Sequence, residues 1–224
     1  MKYLLYCVFQ NHGCQCRRRL QGVGRRSVFL VRKNGLSAAA SRISDADLSP
    51  DIPRVLAYQS VIESVHRRGA VIPFRYGSVF EQESQIAELL EERGRHYAEL
   101  LRELDGWVEM GVRVLSKSVE RGQPFPSLAG VAYLAAQREH YVQADRFRLE
   151  QERISRQIHR LLAGHFARSK TETGLLGGNR LLSLHFLVHK NSIIPFRKAF
   201  QQMSRFPAAR VLSSGPWPPY NFVS

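Results

Sequence analysis

Blocks of apolar and polar residues along the first part of the chain predict strands and a hairpin. Residues 3–9 form a nearly continuous apolar run rich in aromatic and β-branched side chains, which is typical of a strand buried on both faces. Residues 27–31 and 36–43 flank a Lys-Asn-Gly turn, and this combination predicts a β-hairpin. The run at 3–9 is therefore expected at the centre of a sheet.

Two helices and a further strand follow the hairpin in the pattern. Residues 70–80 carry the clearest strand signal, and Pro73 and Gly77 favour an edge position or an interruption of the pairing. Residues 86–104 repeat apolar side chains at helical spacing and predict one helix rich in Glu and Arg. An earlier helix begins near Pro53, and its apolar stripe consists of Val55, Leu56, Val61, Ile62 and Val65.

The second half of the chain predicts another α/β unit around one unusually long helix. A helical stripe extends over residues 128–166, and residues 174–179 are interpreted as a Gly-rich loop. The excess length of the long helix predicts that it packs against the 86–104 helix as an antiparallel pair. The remaining predicted elements are strands at 107–115, 180–188 and 210–213 and a short helix at 193–203.

These elements predict an α+β fold made of two ferredoxin-like α/β units with a long helix pair of coiled-coil character. The β, α, β, α, β order of the second half is the feature that points to a ferredoxin-like unit. We place an N-terminal α+β domain at residues 1–104. A C-terminal α+β domain at residues 105–224 then carries the long helix and an aromatic, proline-rich tail.

Composition and charge narrow the range of partners. The 224 residues include 33 Lys and Arg against 19 Asp and Glu, a formal net charge of +14 that both halves share. Such an excess favours nucleic acid, an anionic membrane or an acidic protein as a partner. No predicted strand carries the aromatic motif of RNA-binding ferredoxin-like domains, so a basic nucleic-acid-binding module is kept only as the alternative. The sequence contains no run of about twenty apolar residues, so it predicts no membrane span.

The sequence has no motif that indicates catalysis or a bound cofactor. Nucleophile elbows, phosphate-binding loops and zinc-protease motifs are missing. His12, Cys14 and Cys16 lie close together, but no second ligand pair follows at the spacing of structural zinc. We therefore expect no enzyme activity, no small-molecule substrate, no cofactor and no metal. The few cysteines favour a reducing compartment, of which the cytoplasm fits best.

The C-terminal segment at 214–223 differs from the rest of the chain. Three prolines hold it extended, and Trp217, Tyr220 and Phe222 offer large, rigid contact areas. Two interpretations stay open at this point. Either the aromatic side chains pack on the sheet of this protein, or part of their surface contacts a partner.

Four segments, in this order along the chain, resemble the gas vesicle protein L and F family. Residues 71–80 resemble its Leu-Pro-Met-Arg-Phe-Gly-Thr-Val-Phe strand, and residues 104–114 resemble its central strand. Gly-Val-Ala-Tyr-Leu at 130–134 resembles the start of its long helix, and Gly-Pro-Trp-Pro-Pro-Tyr at 215–220 resembles its C-terminal motif. The Cys- and Arg-rich loop at 12–26 departs from the family pattern.

The resemblance implies a non-enzymatic accessory or minor structural protein that takes part in gas vesicle assembly. It implies binding to the major shell protein and to other accessory proteins, and it leaves open whether this is an F or an L member. A shell protein with long apolar segments needs a partner that covers its strand edges before the wall grows. We expect these contacts at an incompletely paired 71–80 strand and at the tail, through Arg75, Tyr76, Trp217 and Tyr220. The alternative is that these four side chains only stabilise the fold.

Overall fold

The computed structural model describes residues 1–10, 20–116, 131–202 and 209–223, and the chain divides into two compact units. The first unit is Met1–Glu109 with Pro216–Ser224, and the second is Met110–Gly215. The predicted domains differ from these units in two places. Residues 105–109 and the segment after Gly215 belong to the first unit, whereas the sequence pattern assigned them to the second.

The first unit contains a five-stranded sheet centred on its first strand. Its neighbour order is β2, β3, β1, β4, with β5 pairing beside β4 on the same side of β1. The Asn34-Gly35 turn between β2 and β3 has positive φ at both residues (50° and 76°), as a tight hairpin turn requires. The strands are β1 Lys2–Gln10, β2 Val28–Lys33, β3 Leu36–Ile43, β4 Ile72–Pro73 and β5 Val79–Phe80.

Helices cover both faces of this sheet. Helix α1 (Ile52–His66) packs on one face, and α2 (Glu83–Glu92) and α3 (Gly94–Glu103) pack on the other. The prediction that the first strand is central and buried on both faces is confirmed, because Leu4 and Tyr6 belong to one core and Leu5 to the other. A register shift between Leu5 and Cys7 then changes which side chains of β1 face each layer.

The segment predicted as one helix at 86–104 is two helices, and the prediction was wrong on this point. The backbone leaves helical geometry at Arg93 (φ −100°, ψ 6°), and a new helix begins at Gly94. The break lets both helices turn their apolar faces to the sheet. Their buried side chains are Ile86, Leu90, Tyr97 and Leu101.

The segment at 70–80 is an interrupted edge strand rather than a continuous one. Ile72 and Val79 pair with β1 in two separate bridges, and a turn containing Gly77 at φ 88° lies between them. Pro73 cannot donate to a strand ladder, and a positive φ is costly for any residue except Gly. The edge position and the break that Pro73 and Gly77 favoured are therefore confirmed, whereas an unbroken strand was wrong.

In the described part of the chain the second unit is built from six main elements, of which β6 begins and β9 ends a few residues inside the first unit, and it contains a four-stranded sheet. These are β6 Trp107–Ser116, α4 Val131–Leu161, β7 Arg168–Leu176, β8 Asn179–His189, α5 Ile193–Gln201 and β9 Ala209–Trp217. The sheet order is β7, β8, β6, β9. Phe186 of β8 and Phe196 of α5 are both buried, with their ring centroids 5.6 Å apart. With the first unit this gives an α+β fold with two antiparallel sheets.

Three predictions for the second half need correction. Strand β7 was missed, and the Gly-rich segment at 174–179 contains the turn of a hairpin between β7 and β8. The long helix ends at Leu161 instead of near residue 166, and its predicted first residues lie outside the described part of the chain. The last strand is longer than predicted, because β9 continues into the proline-rich tail as far as Trp217.

Candidate partner-binding surface

Helix α1 exposes apolar side chains on its outer face over its first turn and a half. Ile52 is 76% exposed, Val55 38% and Leu56 58%. Because residues three and four positions apart lie next to each other on a helix, these three side chains form one patch, which we call the α1 patch. Single exposed apolar residues are ordinary, but a group on one helix face marks a possible contact with another protein.

The sequence around Asp51 explains why the helix begins where this patch does. The Asp51 carboxylate accepts a hydrogen bond from the Arg54 backbone N–H at 2.8 Å, and Pro53 lies in the first turn, where no helical donor is lost. The opposite face of α1 is already used by the core through Tyr58, Val61, Ile62 and Val65. Folding of the first unit therefore leaves the α1 patch in contact with solvent.

A cluster of tyrosines lies beneath this helix and holds the interrupted edge strand. The Tyr58 ring lies 4.9 Å from that of Tyr6 and 5.3 Å from that of Tyr76. The Tyr58 hydroxyl donates to the Leu5 carbonyl oxygen at 2.8 Å and lies 3.1 Å from the carbonyl oxygens of Phe74 and Arg75. It thus occupies the gap in the strand pairing, and burial raises the pKa of Tyr58 well above its ordinary range.

Arg75 and Tyr76 lie side by side in the turn between β4 and β5 but have different environments. The Arg75 side chain is exposed, whereas Tyr76 is half-buried and packs on the first core. The Tyr76 hydroxyl lies 3.3 Å from the carbonyl oxygens of both Asp47 and Ser49, just before α1. Burial raises the pKa of Tyr76, and the nearby Arg54 guanidinium opposes that shift. The turn therefore lies next to the first residues of α1.

The tail is anchored to the first unit. Asn221 donates twice to the buried Glu109 carboxylate, from its backbone N–H at 2.9 Å and from Nδ2 at 2.7 Å. Tyr220 packs on the same core as Tyr76, and burial raises its pKa. Trp217 is half-buried at the end of β9. Docking of the tail on its own unit, one of the two interpretations left open by the sequence, is what the structure shows for Tyr220.

The four sequence-predicted contact residues are thus only partly brought together. Tyr76 and Tyr220 share one core, and Arg75 is the exposed neighbour of Tyr76. Sequence reasoning missed the α1 patch, because Val55 and Leu56 were assigned to the buried stripe. The signal was present in the sequence: Ile52, Val55 and Leu56 with Tyr58, Val61 and Ile62 surround more of the helix than one core can cover.

The described residues contain neither a candidate metal-binding cluster nor a helix suited to cross a membrane. Among the described residues no group of three or more His, Cys, Asp or Glu side chains is placed to hold a metal ion. The candidate cluster of His12, Cys14 and Cys16 lies outside the described residues. None of the helices in the described part of the chain is both long and apolar enough to cross a membrane.

The chain is similar in sequence to known gas vesicle proteins. The family model described as gas vesicle synthesis protein GvpL/GvpF matches residues 2–224. Gas vesicle protein F of a Streptomyces species is 29% identical over 201 residues, which cover 83% of this chain and 84% of the relative. Gas vesicle protein L of the same organism is 28% identical over 197 residues, covering 82% and 73%. The sequence identities with the F and the L relative, 29% and 28%, are too similar to show whether this chain is an F or an L member.

Solved structures show the same fold. The crystal structure of gas vesicle protein GvpF from Anabaena sp. superposes with a TM-score of 0.81 at 16% identity, covering 100% of this chain and 96% of the other. GvpF from Microcystis aeruginosa gives a TM-score of 0.76 at 15% identity, covering 100% and 99%. At this level of identity the two superpositions establish the fold alone.

Proposed function

The chain belongs to the gas vesicle synthesis protein GvpL/GvpF family and is involved in gas vesicle formation, and we propose that it binds the major shell protein through the α1 patch during assembly. The family consists of gas vesicle structural or accessory proteins and is not a known enzyme family. In this proposal the protein acts in the cytoplasm at growing gas vesicles. Other accessory proteins bind to it as well.

The observation that carries the proposal is the exposed α1 patch beside an interrupted sheet edge. A small shell protein with long apolar segments aggregates through its strand edges and apolar faces unless a partner covers them. The α1 patch offers apolar contact area, and the turn between β4 and β5 next to it carries the exposed Arg75 side chain. A helix face and a sheet edge are two of the surfaces that proteins use to bind peptide segments.

The four predicted contact residues have different parts in this proposal. Arg75 is exposed and can contact the partner directly. Tyr76 and Tyr220 act mainly by holding the turn and the tail in place, because both pack on the first core. Trp217 remains a candidate contact at the end of β9. Replacing either tyrosine would disturb the fold as well as binding, so the α1 patch gives the cleaner test.

Two finer features of the predicted fold belong to the same proposal. A ferredoxin-like second unit is supported by its β-α-β-β-α-β element order and by the sheet order β7, β8, β6, β9. A long helix of coiled-coil character is supported by the 31-residue length of α4. Such a helix extends roughly 46 Å at about 1.5 Å per residue.

The test is to replace Ile52 and Leu56 together with Gln and to measure co-purification with the shell protein. Both side chains are exposed, so we expect the unfolding free energy to change by less than about 1 kcal/mol. Loss of two apolar contacts should weaken binding by at least about tenfold. A matched control replaces Ile194 and Leu149 with Gln. These side chains are 67% and 56% exposed and lie on helices of the second unit.

The control variant should bind shell protein as the parent does. If the α1 variant remains folded and retains full binding, the α1 patch is not the site. The nucleic-acid alternative is tested with the same proteins, by titrating duplex DNA at increasing salt. Binding through the basic charge would fall steeply with salt, whereas apolar binding of shell protein would not.

A further inference from the structure

Strand β7 is a long edge strand whose outer side is open in the described structure. Its nine residues pair with β8 along their full length, and it is the terminal strand of its sheet. All but one of its side chains are exposed. The main-chain groups on the outer side of such a strand can form a ladder with another strand.

Other described sheet edges are shorter or interrupted. Strand β2 has six residues, and β4 and β5 have two each. Strand β9 is as long as β7 but contains Gly215 and Pro216 near its end, and these residues disturb a ladder. Strand β7 contains no proline and one glycine near its end, so it is the edge best suited to strand addition.

The sequence of β7 is complementary to itself in one antiparallel register. If Thr171 lies opposite Thr171 of a second copy, Lys170 lies opposite Glu172 twice, and Ser169 lies opposite Thr173 twice. Opposite charges and Thr–Thr or Ser–Thr pairs stabilise antiparallel neighbours. Moving the register one step toward the C-terminus places Glu172 opposite Glu172, and moving it one step toward the N-terminus places Lys170 opposite Lys170, with Arg168 opposite Glu172. The register centred on Thr171 is the one of these three that pairs opposite charges without a like-charge pair.

In this register the helix layers of the two copies lie on the same face of the joined sheet. The Ser169 hydroxyl lies 3.0 Å from Nε2 of His159 on α4, so Ser169 points to the helix side of the sheet. Side chains alternate along a strand, so Lys170 and Glu172 point to the opposite, exposed face. A two-fold axis through Thr171, perpendicular to the sheet, therefore places both copies of α4 on one side and both charge pairs on the other.

We propose that this chain pairs with a second copy of itself through β7, in the register that places Thr171 opposite Thr171, to form a continuous eight-stranded sheet. The contact is small and polar, so the dimer forms and dissociates readily. It does not depend on the shell protein. Its effect would be to present two binding surfaces for shell protein in one particle.

Reversal of the two charges gives a specific test. In Lys170→Glu the pairs become Glu–Glu, and in Glu172→Lys they become Lys–Lys. The double variant restores two opposite-charge pairs with their direction exchanged. Sedimentation at micromolar to submillimolar concentrations should show a dimer for the parent and the double variant. Each single variant should dissociate about ten- to a hundredfold more readily.

Two further measurements show whether each variant is folded and whether the two copies pair in the proposed register. Circular dichroism melts establish that each variant is folded; Glu172→Lys also removes a 3.9 Å contact with His185, whereas Lys170→Glu keeps it. Electron paramagnetic resonance on copies spin-labelled at position 171 should give a short distance between the two labels across the two-fold axis. A parent that stays monomeric overturns the proposal. It is also overturned if a folded single variant dimerises as tightly as the parent, or if the labels are far apart.

Discussion

Replacing Asn221 with Ala tests how the C-terminal tail is held, because its side chain donates to a carboxylate that the fold buries. Asn221 Nδ2 lies 2.7 Å from Glu109 Oε1, and Glu109 is almost entirely buried. The backbone N–H of residue 221, 2.9 Å from Glu109 Oε2, remains in the variant. The substitution therefore removes one of two charge-assisted hydrogen bonds.

The expected loss follows from the value of one such bond. A hydrogen bond to a charged group contributes about 1.5–3 kcal/mol, so the unfolding free energy should fall by about 2 kcal/mol. At a urea slope of about 2 kcal/mol per molar, the midpoint of unfolding moves down by about 1 M. Trp107 and Trp217 both belong to the first unit and report its unfolding by fluorescence.

A nearly isosteric control separates the hydrogen bond from packing. Asn221→Asp keeps the side-chain size but places a second carboxylate against Glu109, and the two like charges repel each other. This variant should be less stable than Asn221→Ala at pH 7. Because protonation of one carboxylate removes this repulsion, the variant should regain stability as the pH falls toward about 5. An Asn221→Ala midpoint equal to that of the parent would show that this contact does not anchor the tail.

Three further outcomes are expected. The unfolding free energy should fall above about pH 10, because burial raises the pKa of Tyr58 and Tyr220 and only the unfolded tyrosines release their protons there; urea midpoints on either side of that pH measure it, and equal values would contradict it. Gly35→Ala should cost about 1 kcal/mol because Gly35 has φ 76°, whereas Gly69→Ala, with free space around its Cβ, should be nearly neutral by the same assay. Chelator treatment should leave the circular dichroism unchanged, since no second ligand pair accompanies residues 12–16; a loss of ordered signal would reveal a structural metal.

Elements with a strong apolar pattern were predictable from the sequence. Strand β1 was placed at the sheet centre because its side chains are apolar on both faces, and the β2–β3 hairpin followed from its Asn-Gly turn. Strand β7 was missed for the opposite reason. An exposed edge strand has no apolar face, so its Thr, Lys and Glu residues give no period-two signal.

Breaks within elements depend on tertiary contacts that local patterns do not contain. The interruption at Arg93 preserves the helical spacing of apolar side chains on both sides, so the sequence predicted one helix. The break in the 70–80 strand was visible in part, because Pro73 and Gly77 oppose strand pairing. Nothing in the local pattern indicated that the Tyr58 hydroxyl would fill that break.

The candidate site shows the same limit. Val55 and Leu56 have the correct spacing for the core stripe, and only the packed structure shows that Tyr58 and Ile62 already fill the available core. Tyr76 and Tyr220 were predicted as contacts from their size and their proximity to proline and glycine. Their packing shows that aromatic residues near a surface often have a structural role before a binding one.

Site-specific photo-crosslinking tests the central claim most directly. A photoreactive amino acid is placed at position 56 in the α1 patch, or at position 149 on α4 as the matched control, and the protein is irradiated with newly made shell protein. Because both positions carry exposed leucines in the parent, neither replacement should disturb the fold. The account predicts abundant crosslinks to shell protein from position 56 and few from position 149. Crosslinks from position 149 without any from position 56 would contradict it.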